Sequence, residues 1–165
     1  MNNAAKKVAK YGCLTALSLI FSYVESLLPV NPGIPGAKIG LANIVTVFSL
    51  YVFGPLEALT VNALRVCLSG FLFGNLFSIL YAMAGCLLSF AVMAFLKNKG
   101  KAGIVPVSAA GGIAHNLGQL LVAVSLAGKA VWAYFPVLLA LGTVSGILIG
   151  ILGGIIVQRL KNVVY

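Results

Sequence analysis

The fold is decided by residues 35–74, which read PGAKIGLANIVTVFSLYVFGPLEALTVNALRVCLSGFLFG. The two long apolar runs in this stretch are separated only by Gly54 and Pro55. Proline breaks the interior of a helix but is well tolerated in the first turn of one. The stretch therefore predicts two consecutive helices, at about 39–53 and 55–73.

The composition of the whole chain places these helices in a membrane. Its 165 residues are 61% hydrophobic and 8% charged, whereas a soluble domain is about half apolar and about a quarter charged. This composition excludes an ordinary soluble domain, a disordered chain and a disulfide scaffold. A spanning helix takes ~20 residues, so six of them use about 120 residues, and the remaining ~45 are taken up by loops and ends instead of a separate catalytic domain.

Glycine, proline and basic residues divide the rest of the chain into further apolar runs. Residues 29–38 cannot continue a helix and predict a turn, a loop or a short re-entrant piece. We predict an all-α integral membrane protein with a single transmembrane domain over 1–165 and six transmembrane helices, at about 11–28, 39–53, 55–73, 76–96, 104–127 and 131–158. Five helices, one of them long and broken, are the alternative because helix 2 is short.

The distribution of positive charge favours the six-helix arrangement. Eleven Lys and Arg residues face two acids, giving a net charge of +9. Basic residues mark the cytoplasmic side of a membrane protein and contact anionic lipid. If both termini are cytoplasmic, eight of the eleven lie on that side: Lys6, Lys7, Lys10, Lys97, Lys99, Lys101, Arg159 and Lys161. We therefore expect a multi-pass protein of the cell membrane, and no nucleic acid partner.

Arg65 lies near the middle of helix 3, where an unpaired cation is costly. Asn62 and Ser69 share its face of the helix. Glu25 lies towards the outer end of helix 1 and is the one acid placed deep in a span. Two interpretations stay open: an Arg65–Glu25 bridge that fixes helix packing, or an anion-binding group at the membrane midplane.

Helix 5 carries a second polar group, in the segment GGIAHNLGQ over 111–119. His115 and Gln119 are four residues apart and share a face, which Asn116 borders. These side chains either bond neighbouring helices or line a ligand cavity, and we favour the cavity because Arg65 falls at a similar depth. The candidate substrate-binding residues are Arg65, His115, Asn116, Gln119, Asn43, Glu25 and Asn62.

Small residues predict close helix contacts in two places. Gly142, Gly146 and Gly150 are each four residues apart in helix 6, and such a stripe lets another helix approach closely. Ala5 and Ala9, followed by Cys13, have the same spacing at the start of the chain. Both sets are candidates for docking a partner, and the glycine stripe equally suits packing within the chain.

The sequence contains no residues that suggest catalysis. It has no phosphate-binding G-x-x-x-x-G-K-[ST] motif, no aspartate and a single histidine. Magnesium-dependent prenyl diphosphate chemistry needs clustered carboxylates. We expect no enzyme activity, no catalytic residue, no metal site and no bound cofactor.

Two stretches, 35–74 and SAAGGIAHNLGQLLVA at 108–123, resemble the Gx transporter family, which is also labelled heptaprenyl diphosphate synthase component I. The resemblance rests on a G-x-A-N pattern ending at Asn43, an R-V pair at Arg65, the H-N-x-G-Q of 115–119, and Glu25 before the proline-rich segment. That family is related to the substrate-binding S components of energy-coupling factor (ECF) transporters.

The resemblance implies an ECF S-component-like fold in which the loop after helix 1 covers an outward-facing pocket. It also implies that small residues of helix 1, here Ala5, Ala9 and Cys13, contact a coupling subunit that joins two ATPases. The leading hypothesis is a subunit that binds a small molecule for uptake, such as an isoprenoid or quinone precursor or a vitamin-like cofactor. The alternatives are a membrane component of polyprenyl (heptaprenyl) diphosphate synthesis, and a structural subunit of a membrane redox or flavin-handling complex.

Overall fold

The computed structural model describes residues 2–27 and 40–164, without the side chains of Asn3 and of 161–164. The predicted segment at 29–38 and the end of helix 1 at 28 lie outside the described residues. Helix 2 begins at Asn43 instead of 39, because the chain forms a turn at 40–42. The described part is helical and contains no strand. Its six α-helices are α1 Asn3–Leu27, α2 Asn43–Val52, α3 Pro55–Phe73, α4 Leu76–Asn98, α5 Ile104–Ala127 and α6 Phe135–Val164.

The described residues contain six α-helices, the predicted number. The largest boundary differences are at the start of α1 and the two ends of α6. α1 begins at Asn3 instead of 11, because the alanines and lysines before the apolar run are strong helix formers. α6 continues beyond the predicted 158 to Val164 through Arg159, Leu160 and Lys161, which are good helix formers. A 3-10 helix at Lys129–Tyr134 precedes it, so it begins at Phe135 instead of 131. Hydropathy marks the part of a helix that suits lipid, which is shorter than the helix itself.

The breaks between helices follow from local chemistry. Gly54 has a φ of +121°, which favours glycine, and Pro55 begins α3 as predicted. Asn75 caps α4: its Oδ1 accepts the Ser78 N–H at 2.8 Å, and Ser78 Oγ accepts the Asn75 N–H at 2.9 Å. These local features make the two-residue turns at 53–54 and 74–75 possible.

Four helical segments are long and apolar enough to cross a membrane: Pro55–Phe73, Leu76–Asn98, Ile104–Ala127 and Lys129–Leu160. α2 has 10 residues and so a length of about 15 Å, half of the ~30 Å hydrocarbon core. α1 is long enough but is not among the apolar spans found in the described residues. The structure thus supports a multi-pass membrane protein, while six crossings and the cytoplasmic location of both ends stay predictions.

α5 packs between α4 and α6, and glycines set its distance from α6. A Cβ added to Gly146 would lie 2.7 Å from Ala109 Cα, and one added to Gly150 would lie 2.8 Å from Val105 Cα. Both distances are too short for any side chain, because the obstacle is backbone. The glycine stripe therefore packs within the chain.

The opposite edge of the bundle is formed by α1, which packs mainly on α3. At the basic end, Lys10 Nζ lies 3.8 Å from a carboxylate oxygen of Glu57 and 4.5 Å from the centre of the Phe53 ring. Lys97 Nζ donates to the carbonyl oxygen of Leu50 near the end of α2, where carbonyls lack helical partners. These contacts join the first four helices at the end that carries their basic residues.

Candidate functional site

Arg65 is held in one orientation by its own helix. Its Nε and Nη2 donate to Asn62 Oδ1 at 3.1 and 2.6 Å, and its Nη1 lies 3.5 Å from Ser22 Oγ of α1. Asn62 is only 2% exposed. Residues three apart lie on one helix face, so the spacing in the sequence brings the two side chains together. Asn62 therefore positions the guanidinium instead of lining the cavity described below.

Glu25 lies on α1 near Arg65 but is bonded elsewhere. Its Oε1 accepts the backbone N–H of Gly40, which has a φ of +83° just before α2. Within the described residues, the ion pair that forms joins Lys10 to Glu57, not Arg65 to Glu25. The Arg65–Glu25 ion pair, one of the two interpretations of the sequence, is thus not formed. Both charged side chains instead line the same cavity.

A cavity of about 50 Å³ lies between these groups. At about 10–15 Å³ for each water, it has room for three to five water-sized atoms. Every helix except α4 contributes to its wall, and the lining residues are Glu25, Gly40, Ala42, Asn43, Arg65, Gly112, His115, Asn116 and Ser145. Five candidates from the sequence therefore meet in one place: Glu25, Asn43, Arg65, His115 and Asn116.

Asn116 also ties the cavity to α6. Its Nδ2 donates to the carbonyl oxygen of Leu138 at 2.7 Å, which leaves its Oδ1 as an acceptor. Ser145 of α6 completes that side of the wall. The sequence analysis did not select Ser145 or Gly112. The signal for Ser145 was a polar residue directly before Gly146, within the stripe that brings α6 against α5.

Gln119 does not line this cavity. It is 4% exposed and faces α4, where a Cβ on Gly85 would lie 2.9 Å from both Gln119 Cγ and His115 Cε1. Its Oε1 is buried without a hydrogen-bond partner in the described structure. Gln119 lies one helical turn after His115. Because α4 approaches closely at Gly85, it covers Gln119, and only His115 lines the cavity.

A second cavity of about 20 Å³ shares Asn43, Gly112 and Ser145 with the first. It adds the hydroxyls of Ser89 and Ser108 and has room for about one water. Beyond it lies an apolar core of buried side chains, which includes Val47, Leu50, Met93, Val107 and Ile149. The polar groups thus extend inward for a short distance and are then closed off by the core.

The cavity offers few ligands to a metal or a catalytic centre. His115 and Glu25 supply one imidazole and one carboxylate, fewer than the three or four protein ligands of a zinc site. What the wall offers instead is a fixed cation, a carboxylate, two neutral amides and one hydroxyl. This set suits the binding of a small polar group.

The two candidate docking surfaces differ in accessibility. Ala5, Ala9 and Cys13 are exposed, as are Gly12 and Ala16 beside them. This face of α1 is opposite the one that carries the buried Thr15 and Ser18. Gly142, Gly146 and Gly150 instead contact α5 and present no free surface to a partner.

Comparison with known proteins gives one match. A family model described as heptaprenyl diphosphate synthase component I matches residues 14–156, which include every residue of the cavity wall. No curated protein and no solved structure matches the chain.

Proposed function

The chain belongs to the heptaprenyl diphosphate synthase component I family, as its resemblance to the Gx transporter family predicted, and from this premise we propose that it is a substrate-binding membrane subunit for uptake of a small molecule. The observation that carries the proposal is the cavity that joins Arg65, Glu25, His115, Asn43 and Asn116 inside an apolar bundle. An arginine at the centre of a membrane helix costs about 2.5–3.5 kcal/mol on insertion scales. A ligand that uses this cation accounts for its position.

In this proposal the ligand enters at the end of the bundle where α1 ends and α2 begins. Arg65 binds an anionic or polar group, and His115 assists it. Asn43 and Asn116 add hydrogen bonds that fix its orientation. An isoprenoid or quinone precursor and a vitamin-like cofactor are the candidate substrates, because each combines a polar group with an apolar remainder. The loop at 29–38, proposed to cover the ligand, lies outside the described residues.

Release of the ligand needs partners, because the sequence has no nucleotide-binding motif. We propose an ECF coupling subunit with its ATPases, docked on the small-residue face of α1. The support is the exposure of Ala5, Ala9 and Cys13, together with the open space at Gly12, where an added Cβ would meet nothing within 4 Å. Small residues let a partner helix approach closely in a membrane.

The family description names a synthase component, which is the basis for a second candidate, a membrane component of heptaprenyl diphosphate synthesis. The chain has two acidic residues, and they do not form a metal-binding pair. Glu25 lines the cavity, while Glu57 lies near Lys10 at the basic end. Prenyl transfer therefore requires carboxylates from another subunit. Prenyl transfer by the purified chain with magnesium alone would establish the enzymatic candidate and overturn ours.

The test of the uptake proposal is purification from the native membrane, followed by identification of every small molecule and polypeptide retained. Arg65→Ala and His115→Ala remove two cavity groups, and Arg159→Ala is the matched control because Arg159 is exposed near the end of α6. We expect a stoichiometric ligand in the native chain and the control, lost in both cavity variants. Equal ligand content in all four proteins would contradict the proposal.

A further inference from the structure

We infer that the cavity takes a head group in which a carboxylate and an ammonium group lie side by side, as they do in an α-amino acid. The inference rests on the proposed function and specifies its substrate class. It separates this class from purely anionic head groups, a diphosphate among them.

The first argument is the free part of the Arg65 guanidinium. A guanidinium has five N–H donors, and three of them form hydrogen bonds here. Nε and Nη2 donate to Asn62, and Nη1 donates to Ser22. One N–H therefore remains on each terminal nitrogen. Two parallel N–H groups of this kind match the two oxygens of a carboxylate. The hold of Asn62 on the other edge fixes the direction in which this pair points.

The second argument is Glu25, the carboxylate on the same wall. Its Oε1 is engaged by the Gly40 N–H, and within the described residues its Oε2 has no further hydrogen-bond partner. A carboxylate accepts hydrogen bonds and repels anions. A polyanionic head group is thus attracted by Arg65 and repelled by Glu25, whereas an ammonium group beside a carboxylate satisfies both.

The third argument is the size and remaining chemistry of the cavity. A volume of about 50 Å³ suits a carboxylate with an adjacent amine, and two linked tetrahedral phosphates need considerably more room. Asn116 has its amide nitrogen bonded to the carbonyl oxygen of Leu138, so its Oδ1 is a further acceptor among the lining groups. One cation and several acceptors form a site for a zwitterion.

The experiment compares four probes that share a branched five-carbon tail and differ in the head group. L-leucine carries both charges, 4-methylpentanoate only the carboxylate, isopentylamine only the ammonium group, and isopentenyl diphosphate a diphosphate. Binding to the full chain in lipid nanodiscs is measured by saturation-transfer NMR at about 5 mM, which populates millimolar sites. We expect L-leucine to bind at least about tenfold more tightly than each of the other three.

Two variants assign the preference to the two charges. Glu25→Gln is expected to remove the advantage of L-leucine over 4-methylpentanoate, because the ammonium group loses its partner. Glu57→Gln is the matched control, since it neutralises the other acid of the chain at the far end of α3 and leaves the preference unchanged. Arg65→Met is expected to weaken L-leucine and 4-methylpentanoate together.

The outcomes separate this inference from the uptake proposal. Tighter binding of isopentenyl diphosphate or 4-methylpentanoate than of L-leucine would overturn the zwitterion and leave the uptake proposal intact. Binding of none of the four would also overturn the zwitterion, while the uptake proposal is decided by the native ligand. A native ligand without an amino-carboxylate group would overturn the zwitterion inference and support the uptake proposal.

Discussion

Asn62 Oδ1 lies 2.6 Å from Arg65 Nη2 and 3.1 Å from Arg65 Nε, so one buried amide holds one edge of the guanidinium. The two residues belong to the same helix and are three apart. The cation is thus oriented mainly by α3, with Ser22 of α1 as a further partner, and among the described residues it forms no ion pair. Its other edge is available to the cavity.

A double-mutant cycle on Asn62→Ala and Arg65→Met tests this hold. Each single variant is expected to lower the free energy of unfolding, because each removes a bond between a charged and a neutral group. We expect a coupling of about 1–2 kcal/mol between the two sites, measured by reversible unfolding in mixed micelles. Effects that add within about 0.5 kcal/mol would show that Asn62 does not position the cation.

Gly146→Ala tests the close contact of α5 with α6. The new Cβ would lie 2.7 Å from Ala109 Cα, so the helices must separate, and we expect a loss of about 1–3 kcal/mol in the free energy of unfolding. Gly12→Ala is the matched control, because a Cβ there meets nothing within 4 Å. Thermal unfolding of both variants measures the difference, and an equal response would mean that the stripe is not a close contact.

Ala9→Leu tests the proposed docking face on α1. The larger side chain is expected to prevent a partner helix from approaching, so the coupling and ATPase subunits no longer co-purify while ligand content stays at the native level. Ala4→Leu makes the same change at an exposed position that lies off this stripe, and it serves as the control. Retention of the same partners by Ala9→Leu would place their docking surface elsewhere on the chain.

The predicted orientation is tested by labelling single cysteines in a background without the native ones. Lys99→Cys lies in the basic α4–α5 connection, and Lys129→Cys is at the start of the 3-10 helix between α5 and α6. A membrane-impermeant maleimide is expected to label Lys129→Cys in intact cells and Lys99→Cys only after permeabilisation, because basic segments stay in the cytoplasm. Labelling of Lys99→Cys in intact cells, and of Lys129→Cys only after permeabilisation, would show that the chain has the opposite orientation in the membrane.

The sequence predicted the helices and most of the cavity because both follow from rules that act locally. Apolar runs separated by Gly54-Pro55 and Gly74-Asn75 set the helices, and polar residues inside those runs identified Arg65, His115 and Asn43. The start of α1 at Asn3 was missed because hydropathy does not mark a helix that continues beyond the apolar run.

The remaining differences depend on which helices pack together. Gln119 shares a helix face with His115, and only the approach of α4 at Gly85 removes it from the cavity wall. Ser145 reaches that wall because glycines bring α6 against α5. Residue spacing within one helix carries no information on either contact.

The central claim is that the cavity at Arg65 holds a small molecule, and native mass spectrometry of the intact chain released from nanodiscs tests it most directly. We predict a second mass peak for the native chain and for Arg159→Ala, heavier by one small molecule, and a single ligand-free peak for Arg65→Ala. A ligand peak of equal intensity in Arg65→Ala, or one ligand-free peak in all three proteins, would contradict the claim.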